Sequence, residues 1–96
     1  MDFKSNFVQI IGGKASLTEA TRHGINPANK TPLWDVPLST KADVDRAAEA
    51  GKEAFKTWSQ VPYEERQKAV LAYADAVEKY KTEFRDLLTT EQGKPV

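Results

Sequence analysis

Ninety-six residues with no cysteine, and 14 Lys and Arg balanced by 14 Asp and Glu for a formal net charge of +0, exclude several function classes at once. Disulfides, cysteine-ligated zinc and a thiol nucleophile cannot arise within this chain, and no block of one sign offers a footprint for nucleic acid or an anionic membrane. Hydrophobic residues make up 40% and charged residues 29%, as in a globular domain, but a chain this short buries only about 60 to 65% of the surface its unfolded form exposes.

The first segment, Met1 to Ile11, has one lysine and an apolar run broken by Gln9, too short and too polar for a signal peptide or a membrane span. The expected compartment is therefore cytoplasmic. Within it, Phe7 to Ile11 reads as a β-branched and aromatic strand, Gly12-Gly13 supplies the positive φ angles of a two-residue turn, and Lys14 to Leu17 returns. A second hairpin is predicted from His23 to Asn26 and Leu33 to Val36, joined by the turn-rich Pro27 to Pro32. Two such hairpins are not stable in isolation and must lie on something else. Residues 1–38 thus form a hairpin segment and residues 39–96 a helical one.

Helical periodicity takes over at Thr40. In Thr40-Lys41-Ala42-Asp43 the threonine hydroxyl can accept from the N–H of Asp43 while the Asp43 carboxylate reaches back, a capping box at the positive end of the helix dipole. Val44, Ala47, Ala48, Gly51, Phe55 and Trp58 then share one face, predicted to be a buried stripe. Gly51 inside it implies either close approach of another backbone or a tolerated defect. A second helix starts near Pro62, with Glu64 and Glu65 in its first turn. Val70, Tyr73, Ala74 and Val77 continue the stripe, and a break near Lys81 with Thr82 as cap leads to Phe84, Leu87 and Leu88, the last two expected in the core. Gly93 and Pro95 stop the helix. The fold class expected is an α+β fragment, two short β-hairpins followed by two or three α-helices, with residues 40–59 and 62–92 pairing antiparallel. Thr90 to Val96 reads as a helix end leading into another element, so the chain is expected to be the front of something longer.

The search for catalytic constellations yields none. His23 is the only histidine, which rules out a His pair for a metal; beside a turn it reads as a surface or strand-end residue, and no triad is assembled around it. Gly93-Lys94 lacks both the upstream glycine and the following Ser or Thr of a phosphate loop, and Ile11-Gly12-Gly13-Lys14 lacks dinucleotide-fingerprint spacing. Asp43/Asp45 and Glu64/Glu65 lie in first turns, where the dipole accounts for them. Trp34, Trp58, Tyr63 and Tyr73 are not interleaved with basic residues and read as core or interface anchors.

Five pieces in one order remain: Ile25-Asn26-Pro27-Ala28; Val36-Pro37-Leu38-Ser39-Thr40 with Asp43-Val44-Asp45-Arg46-Ala47; Ala54-Phe55-Lys56-Thr57-Trp58; Glu65-Arg66; and Glu91-Gln92-Gly93-Lys94-Pro95. Together they resemble the N-terminal segment of the NAD(P)-dependent aldehyde dehydrogenase superfamily, over nearly the whole chain. The resemblance implies the start of a Rossmann-like cofactor domain. It also implies a family chemistry in which a cysteine thiolate attacks an aldehyde, hydride passes to NAD or NADP, and a glutamate activates water to release the acid. None of those catalytic or cofactor-binding residues matches a position here, so the chain is expected to bind no cofactor by itself and to be inactive alone. One site carries over: backbone oxygens at Ile25 and Glu91 match contacts to a monovalent cation, against the plainer reading of a strand residue and a solvated helix-end carboxylate. Gly51 departs from the family's more usual alanine.

Two functions follow as expectations. One is the scaffold portion of an aldehyde dehydrogenase. The other is a stand-alone interaction protein of dehydrogenase descent, associating with itself or with a full-length aldehyde dehydrogenase through an exposed apolar face. Either way a marginal or oligomeric fragment is expected.

Overall fold

The computed structural model describes residues 3–96. Strand β1 (Gln9–Ile11) pairs antiparallel with β2 (Lys14–Ser16), with Gln9 opposite Ser16 and Ile11 opposite Lys14. Gly12 and Gly13 have φ of 60° and 77°, the doubly left-handed turn that matches strand twist. The strand is shorter than predicted because Phe7 leaves the ladder to pack its ring against Trp34, with centroids 6.0 Å apart.

Strands β3 (Thr21–Ile25) and β4 (Pro32–Pro37) form the second antiparallel pair. The register shifts between His23 and Ile25, around Gly24. The connecting turn is tied by side chains: Asn26 Oδ1 accepts from the Ala28 N–H at 2.9 Å and Asn29 Oδ1 from the Thr31 N–H at 3.1 Å. These bonds explain why Asn, Pro and Thr dominate it.

Helix α1 (Lys41–Trp58) begins as its sequence dictates. Asp43 N–H donates to Thr40 Oγ1 at 3.2 Å and Thr40 N–H to Asp43 Oδ2 at 2.8 Å, completing the capping box. Helix α2 (Tyr63–Lys79) follows, with Pro62 in the cap position just before its first turn. Helix α3 (Lys81–Gln92) ends at Gly93, left-handed at φ 71°. The break between α2 and α3 falls at Tyr80, and Thr82 lies inside the restarted helix and caps nothing. Phe3 marks the place, its ring edge-on to Phe84 at 5.0 Å and tilted against Tyr80 at 5.9 Å.

Two expectations about packing fail. The helices do not form an antiparallel pair: contact between elements is concentrated in the two hairpins and between α1 and β1. Nor is the apolar stripe buried. Among the described residues no hydrophobic side chain is fully buried; Phe55 is 66% exposed and Val70 64%, and even the expected core pair is only half-buried at Leu87 and exposed at Leu88. The radius of gyration is 16.7 Å, against about 12.5 Å for a compact chain of this length. Accessible surface is 7985 Å², where a folded monomer of this mass shows about 5500 Å². Beyond the first hairpin on α1 and the Phe3 and Phe7 ring contacts, little of the chain lies over the apolar helix faces.

Candidate functional site

Two of the five pieces that carry the resemblance, Ile25 to Ala28 and Glu91 to Pro95, meet where the end of α3 reaches the β3–β4 turn. Gly93 is required there twice over. Its φ of 71° disfavours any side chain, and a Cβ would stand 3.0 Å from Pro27 Cγ. Its N–H donates to Thr89 O at 2.8 Å, closing the helix. The Gly-Lys-Pro ending of α3 is thus a docking corner against Asn26-Pro27, with no phosphate loop in it.

Beside this corner, Arg22, Gly24, Leu33, Trp34, Glu91 and Gln92 border an open cleft of about 290 Å³. Of the two residues matched to a cation contact, Glu91, in the last turn of α3, lines the cleft, while Ile25 ends β3 next to the lining Gly24. Their backbone oxygens suit such a role. Pro32, opposite Ile25, has no N–H to offer its carbonyl, and carbonyls in a final helical turn have no intrahelical donor. Among the described residues no three His, Cys, Asp or Glu side chains converge on a point. A cation here would therefore rest on backbone oxygens. His23 lies across the ladder from Asp35, exposed and remote from any acidic cluster.

A second constellation, at the start of α1, was not visible in the sequence as a unit. Asp43 is the one buried polar residue among those described, with 9% of its surface still exposed. The Thr40 backbone N–H, more than any other group, draws its pKa down from 3.8 to about 2; partial burial works against this, and the Gln9, Thr40 and Arg46 side chains add to it. Arg46 also forms an ion pair with the second carboxylate oxygen. Ser39 Oγ donates to Gln9 Oε1 at 2.9 Å, and Gln9 Nε2 donates to Ser16 Oγ at 3.2 Å. The knot holds the first hairpin to the first turn of α1. A carboxylate so fully engaged is a structural anion, poorly placed to exchange protons with a substrate. Thr40 and Asp43 announce themselves by capping-box spacing; Gln9 and Ser39 have no short-range signal.

The architecture sets a helix-end corner, a capping box and open helix faces side by side. The aldehyde dehydrogenase family model matches residues 15–96. The chain is 38% identical over all 96 residues to "Aldehyde dehydrogenase LUC3" of a Fusarium species, covering 21% of that protein. It is 40% identical over 79 residues, 82% of the chain and 16% of the relative, to malonate-semialdehyde dehydrogenase 1 of Bacillus licheniformis. A probable aldehyde dehydrogenase of a Pseudomonas species matches the whole chain at 36% identity, over 20% of its own length. This chain belongs to the aldehyde dehydrogenase family, and it spans 16% to 21% of the length of these relatives.

Proposed function

We propose that these 96 residues supply the N-terminal scaffold of an NAD(P)-dependent aldehyde-oxidising enzyme and perform no redox chemistry alone. The observation that carries this is the combination of family membership over residues 15–96 with the absence of any cysteine from the chain. Aldehyde oxidation through a covalent thiol adduct needs a thiolate, and no other side chain here is activated in its place. NAD or NADP would accept the hydride in the assembled enzyme. This chain's contribution is to hold the β3–β4 corner against the end of α3 and to present α1 and α2 as packing surface. Purified chain mixed with an aldehyde and NAD or NADP should give no rise in nicotinamide absorbance above the enzyme-free blank. Measurable turnover would overturn the reading.

Ile25 and Glu91 contribute two backbone oxygens to a monovalent cation site that further oxygens from the rest of the enzyme complete. Support comes from Pro32, which stands opposite Ile25 with no N–H to donate, and from the place of Glu91 in the last turn of α3, beside the Gly93–Pro27 contact. Hard cations need several oxygens, so this chain alone should bind only weakly. Potassium titrated into labelled chain should shift the amide signals of residues 25–27 and 91–93 before others. Shifts spread evenly over the acidic surface residues would count against the site.

A further inference from the structure

We propose that the first hairpin is a strap that opens and closes on α1 as one unit, with Gln9 as its lock. The strap is a property of the chain itself, whatever enzyme it serves. Both ends of the hairpin are rooted along β4 and the residue that follows it. On the way in, the Phe7 ring packs against Trp34 with centroids 6.0 Å apart. On the way out, the Leu38 N–H donates to Thr18 Oγ1 at 3.2 Å and to Ala20 O at 3.0 Å. Between these roots the turn at Gly12 rests over α1, where an added Cβ would meet Ala50 Cβ at 3.8 Å. The tip can therefore swing off the helix while Phe7 and Thr18 stay in place.

What holds the hairpin down is polar and concentrated in one side chain. Gln9 Oε1 accepts from Ser39 Oγ at 2.9 Å, Nε2 donates to Ser16 Oγ at 3.2 Å, and the same amide bonds the Asp43 carboxylate. It thus ties both strands of the hairpin to the loop before α1 and to the first turn of the helix. Apolar packing adds little. Every residue of β2 is exposed, Ile10 is 70% exposed, and a cleft of about 170 Å³ remains between the hairpin and α1, bordered by Ile11, Val44 and Ala47. A two-stranded hairpin is at best marginally stable by itself in water, so the closed strap depends on its clasp. Hydrogen bonds within reach of water contribute little each, so the strap opens more often than the helix beneath it unfolds. Opening uncovers the α1 flank at Ala47 and Ala50 and frees one side of Asp43.

Amide hydrogen exchange on the full 96-residue chain tests this. Residues 9–16 should be protected, but less than the second half of α1. Gln9→Leu keeps the size of the side chain and removes its bonds; it should speed exchange of residues 9–16 roughly 10-fold, the loss of about one net hydrogen bond. Exchange in residues 51–58 and at Gly93 should not change. A cross-link gives a second reading. The chain has no cysteine, and the 3.8 Å between the Gly12 and Ala50 Cβ positions is the usual spacing across a disulfide, so Gly12→Cys with Ala50→Cys can be joined by oxidation. The reduced double variant is the baseline for the strain of a side chain at Gly12. Oxidised, it should slow exchange of residues 9–16 and cancel the effect of Gln9→Leu. Hairpin amides that exchange in the wild-type chain as fast as in an unfolded peptide overturn the proposal, as does a Gln9→Leu chain that exchanges like the wild type. An acceleration shared equally by α1 and Gly93 also overturns it, and so does one that persists in the oxidised chain.

Discussion

One flank of α1 and the stripe beside it are built from the same eighteen residues and reach opposite ends. On the flank, Asp43 is buried among Thr40, Arg46 and Gln9, and the hairpin turn at Gly12 lies over Ala50. On the stripe, Val44 and Phe55 remain mostly in water. What separates them is range. Hydrogen bonds of a cap or a tight turn are satisfied by residues a few positions away, so a segment can complete them alone. Apolar area needs a facing layer, and two hairpins with three helices in series do not furnish one. Polar local structure is thus autonomous here while packing is not, as a segment covering a fifth of its relatives' length would have it.

If that division holds, the largest effect of a single small substitution belongs to a closed corner. Gly93→Ala places a methyl in a left-handed position at φ 71° and 3.0 Å from Pro27 Cγ. The conformation alone costs about 1–2 kcal/mol, and the contact forces the turn to move as well. Urea unfolding followed by far-UV circular dichroism should show a lower midpoint. An unchanged midpoint would mean that the end of α3 and the β3–β4 turn separate in solution, and the corner would then not belong to the autonomous part.

Range also explains what was legible in the sequence. Gly12-Gly13, Thr40 with Asp43, and Gly93 are spelled by neighbours, and all three adopt the expected geometry. The stripe residues were legible as a line but not in their exposure, since periodicity states which residues share a face and is silent on what lies opposite. The break near Lys81 was legible and falls one residue earlier, at Tyr80, but the ring contacts that Phe3 makes there from more than seventy positions away were not. Ile25 and Glu91 carry no chemical signal of their own; only the ordered family pieces single them out. Gln9 is a third case, a polar residue inside an apolar run whose partners, Ser39 and Asp43, sit at the other end of the segment.

The polar knot offers the next test. Thr40→Ala removes the acceptor for the Asp43 N–H and should destabilise by about 1 kcal/mol. The same knot sets an acid response. Asp43 titrates at about 2 when folded and near 3.8 otherwise, so the unfolded chain binds its proton first as pH falls. Its stabilising contribution is complete above roughly pH 4 and is lost between there and about 2. Asp43→Asn should flatten the stability profile in that window. A profile equally steep in the variant would assign the acid transition to other carboxylates.

The smallest expected effect probes the open face. Gly51 is an exposed helical position with nothing within 4 Å, so it should accept alanine with a gain of about 0.5–1 kcal/mol. Urea unfolding followed by circular dichroism, at concentrations low enough to hold the chain monomeric, measures that gain. A loss would show that some part of the chain itself closes over Gly51, making α1 a buried helix on both sides and removing the contrast between its flank and its stripe.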